Sequence, residues 1–203
     1  MYKRILKPSA DFICALFLLI LIAPIFLVLT IMLSAMTFES PFFLQNRTGF
    51  EGKHFRVIKF KTMKNQVNLE GKLLHDELRM SSFTRFLRKS NLDEIPQLLN
   101  ILKGDMSFIG PRPLPIRYEP FYSVEQFKRH NVRPGITGLA QVHGRRSLSW
   151  KSRFNLDMKY VEESSFLLDL TILMKTTRVF FDKSESEVQN GQSPDDYIPD
   201  FKE

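Results

Sequence analysis

Two adjacent carboxylates, Asp93 and Glu94, are the strongest candidates for chemistry in this sequence. They lie in the segment SNLDEIPQLLN, which covers residues 90–100. Pro96 has no backbone donor, so it is tolerated in the first turn of a helix, where such donors lack intrahelical partners. A helix that begins near Asp93 would keep a carboxylate there ionised and would also attract a phosphate.

Taken alone, the acidic pair is explained more simply by a structural role. Asn91 with Glu94, or Ser90 with Asp93, would form a capping box, in which two side chains satisfy free backbone donors at a helix start. Neighbouring side chains on a helix diverge by about 100°. Both acids can therefore face one site only if the helix begins at that point, as Pro96 suggests.

Basic residues accompany the acidic pair in turns rich in Gly and Pro and on one predicted strand. Lysine and arginine bind phosphate oxygens, and the planar guanidinium can do so with two parallel hydrogen bonds. Any one of these residues alone is explained as a solvated surface charge, but together they indicate a phosphate-bearing ligand. The candidates are Lys59, Lys61, Arg88, Arg112, Arg133 and Arg145.

Composition bounds the function classes. The chain has 203 residues and a formal net charge of +7, and the segment 183–203 carries −4, which leaves +11 for the rest. That surplus fits phosphates, anionic lipid or nucleic acid. The single cysteine, Cys14, excludes an intramolecular disulfide and a multi-cysteine metal cluster. The sequence has no GxxxxGK[ST], GxGxxG, HExxH or GxSxG signature.

A long apolar run near the N-terminus predicts a membrane segment. Phe12 to Met36 comprises 25 residues without a charge, enough to cross a hydrocarbon core of about 30 Å. Pro24 lies at the centre and should kink the helix. Both flanks are basic, and basic flanks mark the cytoplasmic side. We therefore expect a helix broken at Ala23-Pro24 that enters one leaflet and returns; a straight span with a mild kink is the alternative.

The remaining chain alternates short strands with helices. His54 to Met63 predicts a strand with one wet face, and 41–47 a loop or short strand. A basic amphipathic helix over 77–90 would lie either in a headgroup layer or against the core. Further helices are expected over 92–103, 123–131, 150–163 and 166–181. The predicted division is a membrane anchor (1–38), a catalytic domain (39–182) and a polar tail (183–203).

Three ordered motifs resemble those of a known family. The segments are KFKTM (Lys59–Met63), LDEIPQLLNILKGDMSFIGPRP (Leu92–Pro113) and VRPGITGLAQVHGR (Val132–Arg145). They look like the monotopic polyprenyl-phosphate phosphoglycosyl transferases, the bacterial sugar transferase family. With the apolar run and FLLDL (Phe166–Leu170), the resemblance covers Met1 to Phe181.

The resemblance implies a mostly helical α/β fold, with a small cytoplasm-facing catalytic domain on a re-entrant membrane helix and with interfacial amphipathic helices. It places the enzyme at the cytoplasmic face of the bacterial inner membrane. Asp93 would attack the sugar-bearing phosphate of a UDP-sugar, expel UMP and hold the phosphosugar until undecaprenyl phosphate accepts it. The implied cargo is an acetamido sugar, and the product would pass to downstream glycosyltransferases.

The resemblance also assigns roles to individual residues. Asp93 is the nucleophile and a ligand of Mg²⁺, and Glu94 is its catalytic partner. The sequence departs from the family pattern at Ala23, Thr48 and His143, where the family commonly has serine, proline and asparagine. The implied substrate-binding residues are Lys59, Lys61, Thr62, Arg88, Arg112, Pro113, Arg133, Gln141 and Arg145.

Two rival functions compete with this hypothesis. A membrane-tethered basic module that binds anionic lipid or nucleic acid would explain the positive charge, but it gives no reason for the LDE and GPRP segments. An inverting glycosyltransferase would release UDP, whereas this mechanism releases UMP. We therefore expect a transferase whose partners are a UDP-sugar, undecaprenyl phosphate and a lipid bilayer, and not nucleic acid.

Overall fold

The computed structural model describes residues 1–37, 39–144 and 148–181. Within them the fold is mostly helical with two small sheets, which confirms the coarse expectation. Arg145 and the predicted tail 183–203 lie outside the described residues. The elements are α1 (Lys7–Thr37), β1 (Phe42–Thr48), β2 (His54–Phe60), α2 (Ser82–Lys89), α3 (Gln97–Leu102), β3 (Ser107–Ile109), α4 (Val124–Phe127), β4 (Gly135–Thr137), α5 (Leu139–Val142), α6 (Trp150–Glu163) and α7 (Phe166–Phe181).

The apolar run forms one long helix. A helical stretch over Tyr2–Met36 is long and apolar enough to cross a membrane. α1 is continuous from Lys7 to Thr37 with Pro24 inside it, so the chain stays helical at that residue, and the kink at Ala23-Pro24 stays a prediction. Proline removes one backbone donor, and the hydrogen bonds on either side preserve the helix. The re-entrant course stays a prediction.

Both halves of α1 pack against the rest of the protein. In the first half Ala15 is fully buried in a core cluster, and in the second half Leu33 is fully buried in another. These two residues are about 27 Å apart along the helix axis. The partners of Ala15 are Val57, Leu98, Ile101 and Met106. Those of Leu33 are Leu29, Phe60 and Leu87.

The opposite side of α1 carries large apolar side chains without such cover. They include Phe17, Ile20, Leu21, Leu27 and Ile31, and α7 exposes Phe166, Leu167 and Met174 as well. An exposed apolar surface of this extent marks contact with a membrane or a partner. The arrangement fits a helix that rests on the domain along one side and meets lipid along the other.

Polar bonds attach the start of α1 to the last two helices. The Lys7 ammonium lies 2.7 Å from Oδ2 of Asp169, and the Tyr2 hydroxyl donates to the same oxygen. The Tyr160 hydroxyl donates to Oδ1 of Asp169 at 2.7 Å. Asp169 is thus a buried acceptor that joins α1, α6 and α7.

The two sheets are small and depend on neighbouring groups for support. β1 and β2 form an antiparallel hairpin, with Phe42 opposite Phe60 and Thr48 opposite His54. β3 and β4 run parallel, with Ser107 opposite Gly135. A Cβ on Gly135 would lie 2.1 Å from the Gly110 nitrogen. The glycines of the GPRP and PGITG segments therefore permit this close approach.

The predicted helices match the structure unequally. Those over 150–163 and 166–181 are confirmed, and the one over 123–131 is α4 followed by a 3-10 turn. The helix expected over 77–90 is shorter, because a 3-10 turn covers Asp76–Arg79 and α2 begins only at Ser82. Ser81 and Thr84 form a capping box that fixes this start.

Asn100 should contribute strongly to stability. Its buried side chain accepts from the Ile58 nitrogen at 3.0 Å and donates to the Arg56 carbonyl at 2.7 Å, so it binds the free edge of β2 to α3. We expect Asn100→Ala to lower the free energy of unfolding by about 2 to 4 kcal/mol, because two backbone groups lose their partner. Denaturant titration of Asn46→Ala, on the exposed side of β1, is the control. Equal effects of both variants would contradict the assignment.

Candidate active site

The acidic pair lies on a short turn that precedes a helix. Leu92–Glu94 form a 3-10 turn, and α3 begins at Gln97 with Pro96 at its N-cap position. The helix therefore starts a few residues later than predicted. Asn91 enters the turn with a left-handed backbone (φ 55°). This conformation turns the chain sharply after α2 and presents both acids before the helix begins.

The capping-box explanation of the acids is wrong. Asn91 makes no side-chain capping bond at the start of the turn. The Ser90 hydroxyl donates backwards to the Phe86 carbonyl at 2.8 Å and to the Leu87 carbonyl at 3.2 Å. Neither polar residue therefore caps the segment that carries Asp93 and Glu94, and the two carboxylates are available for other contacts.

Glu94 joins two basic groups from different parts of the fold. Its Oε1 lies 2.5 Å from Nζ of Lys59, on β2, and 3.1 Å from Nη2 of Arg112, in the loop after β3. Burial alone would raise the pKa of Glu94, but the charges of Arg112 and Lys59 and their hydrogen bonds lower it to about 2. Glu94 is therefore ionised at any physiological pH.

The pKa of Asp93 is shifted in the opposite direction, upward. The residue is 9% exposed. Burial, with a contribution from the neighbouring Glu94 charge, raises the pKa of Asp93 to about 6, although Lys59 and Arg88 act against the rise. Adjacent carboxylates whose pKa values diverge in this way are typical of sites where the two acids have different roles. Asp93 is ionised above pH 6 but is only weakly compensated.

A buried arginine outside the predicted site, Arg129, holds the backbone of Arg112. Nη2 of Arg129 donates to the Arg112 carbonyl at 2.8 Å and to Oδ2 of Asp157 at 2.6 Å. Nη1 donates to the Tyr122 hydroxyl at 3.2 Å. Arg129 is 3% exposed, so this network is a rigid internal support. Arg129 and Asp157 lie in segments without turn or motif signals, which is why sequence reasoning missed them.

Several predicted residues lie beside this centre. Arg88, at the end of α2, contributes its charge to Asp93, and its Nη1 contacts the Met63 and Met80 sulfurs at 3.6 and 3.7 Å. Pro113 is buried next to Arg112. Thr62 is half-buried in the loop that follows β2. The structure thus brings Lys59, Arg88 and Arg112 to the acidic pair, and the roles of these residues, of Pro113 and of Thr62 toward substrate stay predictions.

Other predicted residues make contacts elsewhere within the described part of the chain. Lys61 forms an ion pair with Glu39. Arg133 donates to the Gly104 carbonyl at 2.8 Å, and its guanidinium lies 5.5 Å from the centre of the Phe50 ring. The Gln141 amide is buried and has no hydrogen-bond partner among the described residues. The structure does not join these three side chains to Asp93 or Glu94.

The donor set fits Mg²⁺ only as a partner of substrate phosphates. No group of three or more His, Cys, Asp or Glu side chains that could hold a metal is found among the described residues. Mg²⁺ commonly uses one or two carboxylates together with substrate phosphates and water. Asp93 can supply such a ligand, whereas Glu94 is already bound by Lys59 and Arg112.

The fold combines a buried acidic pair, basic side chains in contact with it and a helix long and apolar enough to cross a membrane. A sequence profile of the bacterial sugar transferases matches residues 2–183. The chain therefore belongs to the bacterial sugar transferase family.

Individual relatives agree with this assignment. The chain is 48% identical over 175 residues to the uncharacterized sugar transferase EpsL of Bacillus subtilis, and this matched region covers 86% of each protein. It is 36% identical over 188 residues to the exopolysaccharide production protein ExoY of Sinorhizobium fredii, covering 84% of this chain and 83% of that protein. It is 33% identical over 184 residues to the UDP-glucose:undecaprenyl-phosphate glucose-1-phosphate transferase of Escherichia coli, covering 86% of this chain but 40% of that enzyme.

The Asp93 carboxylate should reduce stability at neutral pH. Its folded-state pKa, about 6, lies above the ordinary value of 3.8. The charged form is therefore disfavoured in the folded protein, and stability falls as pH rises from about 4 through 6. We expect Asp93→Asn to increase the free energy of unfolding by about 2 to 3 kcal/mol at pH 7.5.

Unfolding measured from pH 4 to pH 8 tests this expectation. The advantage of Asp93→Asn should be small at pH 4, grow until about pH 6 and then stay constant. Glu94→Gln is the matched comparison, and it should be destabilising at pH 7.5, because the lowered pKa of Glu94 means that its charge stabilises the fold. A lower stability of Asp93→Asn than of the wild type at pH 7.5 would contradict a raised pKa of Asp93 in the folded protein.

Proposed function

We propose that this protein transfers a sugar-1-phosphate from a UDP-sugar to undecaprenyl phosphate through a covalent phosphosugar intermediate on Asp93, and releases UMP. The observation that carries the proposal is the Asp93–Glu94 pair itself. The Asp93 carboxylate is buried and its negative charge is only weakly compensated, whereas the Glu94 carboxylate is fixed by Lys59 and Arg112. Family membership supports the general reaction, and the Escherichia coli relative is named for a UDP-sugar donor and an undecaprenyl phosphate acceptor.

The proposed reaction has two displacements at one phosphorus atom. An Asp93 oxygen attacks the sugar-bearing phosphorus of the UDP-sugar, the bond from that phosphorus to the bridging oxygen breaks, and UMP leaves with the electron pair. An oxygen of undecaprenyl phosphate then attacks the same phosphorus and releases the Asp93 carboxylate. A carboxylate nucleophile divides a difficult transfer into two easier steps. A pKa of about 6 keeps Asp93 ionised at pH 7.5.

Glu94 has a positioning role in this proposal. It holds Lys59 and Arg112 at 2.5 and 3.1 Å, and it cannot accept a proton easily, because these charges lower its pKa to about 2. The two cations are thereby kept beside Asp93, where the transferred phosphoryl group would carry its negative charge. Mg²⁺ bound to Asp93 and substrate oxygens would neutralise further negative charge.

We also propose that α1 is re-entrant and that the catalytic domain faces the cytoplasm. Ala15 and Leu33, in opposite halves of α1, are both buried against the same domain. A helix that crosses the bilayer would carry one half away from a domain on one side. Lys7 also contacts Asp169 of that domain. The basic flanks before and after the apolar run favour the cytoplasmic side for both ends.

The sugar and the next reaction belong to the same proposal. The family resemblance predicts an acetamido sugar, whereas the Escherichia coli relative is named for UDP-glucose. The lipid-linked product would begin the membrane stage of glycan or glycoprotein assembly and would be used by downstream glycosyltransferases. A panel of UDP-glucose and UDP-acetamido sugars, with undecaprenyl phosphate and Mg²⁺, identifies the cargo by UMP release. Release of UDP instead would indicate the inverting glycosyltransferase.

Loss of the nucleophile should abolish transfer. We expect Asp93→Asn to reduce UMP release by at least about 10⁴-fold, because an amide cannot form the acyl phosphate. In the wild-type enzyme, incubation with UDP-sugar alone should give a phosphosugar adduct on Asp93 in intact-protein and peptide mass spectra. Asp105→Asn, in the loop before β3, is the matched control and should retain activity. Full UMP release by Asp93→Asn would overturn the mechanism.

Topology requires a separate test. We expect cysteines introduced before and after the apolar run, by Ser9→Cys and Ser40→Cys in a Cys14→Ala background, to react with a membrane-impermeant thiol reagent only from the cytoplasmic side. Inverted and right-side-out vesicles provide the two orientations. Labelling of the two positions from opposite sides would restore the straight span, even if the enzyme is active.

A further inference from the structure

The loop that carries Arg112 is held by hydrogen-bond donors from other parts of the fold. Pro111 and Pro113 have no backbone N–H, so this segment has few donors of its own. Four consecutive carbonyls accept from outside the loop instead. The carbonyls of Pro111, Arg112, Pro113 and Leu114 accept, in that order, from the Gly135 nitrogen at 3.0 Å, Nη2 of Arg129 at 2.8 Å, Nη1 of Arg47 at 3.1 Å and the Thr48 nitrogen at 3.3 Å. The conformation of the loop therefore depends on these contacts.

The side chain of Arg112 is not held in place by packing. It is 51% exposed, although Pro111 and Pro113 on either side of it are buried. Its Nη2 nevertheless lies 3.1 Å from Oε1 of Glu94. A long, exposed side chain loses rotamer freedom when it is held in one geometry. The position of the Arg112 backbone must therefore direct the guanidinium to Glu94.

Arg129, which fixes that backbone, is held by a buried partner of its own. Its Nε and Nη2 donate to Oδ2 of Asp157 at 3.1 and 2.6 Å, and the two residues are 3% and 4% exposed. The Arg129 guanidinium carbon lies 5.5 Å from the centre of the Phe154 ring. Apolar side chains of similar size often fill such an interior without loss of stability. Only the charged pair also provides a donor for the Arg112 carbonyl.

We propose that Arg129, held by Asp157, is a positioning residue for the transfer reaction, because it fixes the backbone from which Arg112 reaches Glu94. This inference rests on the proposed function, in which the phosphoryl group is transferred beside Asp93. A cation already in place stabilises the charge of the transferred group without reorganisation. Arg129 itself does not touch the reacting atoms in this proposal.

The test variants remove the donor to the Arg112 carbonyl and keep the interior balanced. Arg129→Met combined with Asp157→Leu removes both charges, so that no buried charge is left unpaired. Arg129→Lys is the second variant, because one ammonium can pair with Asp157 but does not reproduce the planar fork that also reaches the Arg112 carbonyl. Ser149→Ala is the control. It removes the N-cap bond to the Ser152 nitrogen and so weakens α6, which carries Asp157, without contact to Arg129.

The first measurement is the steady-state rate of UMP release, together with the melting temperature of each variant. We expect the double variant and Arg129→Lys each to lower kcat by about tenfold and to change the KM for the UDP-sugar by less than about twofold. In an Arg112→Gln background the same changes should lower kcat by less than about twofold, because the residue through which Arg129 acts is already missing. Ser149→Ala should lower the melting temperature and leave kcat unchanged.

Two kinetic outcomes would overturn the proposal. One is a wild-type kcat in Arg129→Lys or in the double variant. The other is a loss of kcat that is equally large with Arg112 and with Arg112→Gln, because the effect would then be a general consequence of weakened structure.

The second measurement does not depend on catalysis. Glu94→Gln removes the charge that Arg112 and Lys59 stabilise. If Arg129 positions Arg112, Glu94→Gln should lower the melting temperature of Arg129→Lys by only roughly half as much as that of the wild type. Equal losses in both backgrounds would overturn the positioning role. A reduced loss in Arg129→Lys, found together with a wild-type enzyme that releases no UMP, would support the positioning of Arg112 and refute the proposed function alone.

Discussion

The arrangement of the site depends on the carboxylate of Glu94. A single oxygen, Oε1, receives Lys59 from β2 and Arg112 from the loop after β3. These residues are far apart in sequence, so the bond fixes the hairpin, the 3-10 turn and the GPRP loop relative to one another. Bonds between charged groups are stronger when they are partly shielded from water. Glu94 is 13% exposed at its side chain, so its bonds retain much of that strength.

The same geometry explains how adjacent acids acquire different properties. Glu94 bonds to Lys59 and Arg112, whereas Asp93 is buried beside the negative charge of Glu94. The cost falls on the stability of the folded protein, as is common where a group is held for reaction and not for packing. The site therefore depends on an unequal distribution of positive charge. Lys59 and Arg112 bond to Glu94, which lowers the pKa of Glu94, and the negative charge of Glu94 in turn helps to raise the pKa of Asp93.

Internal supports make this arrangement rigid. Arg129 and Asp157 fix the Arg112 backbone from the side of α6, and Asn100 joins β2 to α3 on the other side. α1 completes the core, because Ala15 and Leu33 fill separate apolar clusters. The long apolar helix α1 is thus part of the packing that supports the elements bearing the acids. The position of α1 and the geometry of the site are physically coupled through these contacts.

Sequence by itself determined the local features: the apolar run, the helices over 150–163 and 166–181, and the acidic pair with its family motifs. These follow from hydrophobic periodicity and from residue order, which are local properties. Only the tertiary structure decided that α1 continues through Pro24, that Lys61 and Arg133 pair elsewhere, and that Arg129 supports the backbone of Arg112. Such outcomes depend on contacts between distant segments and on shared burial, and no local pattern encodes either.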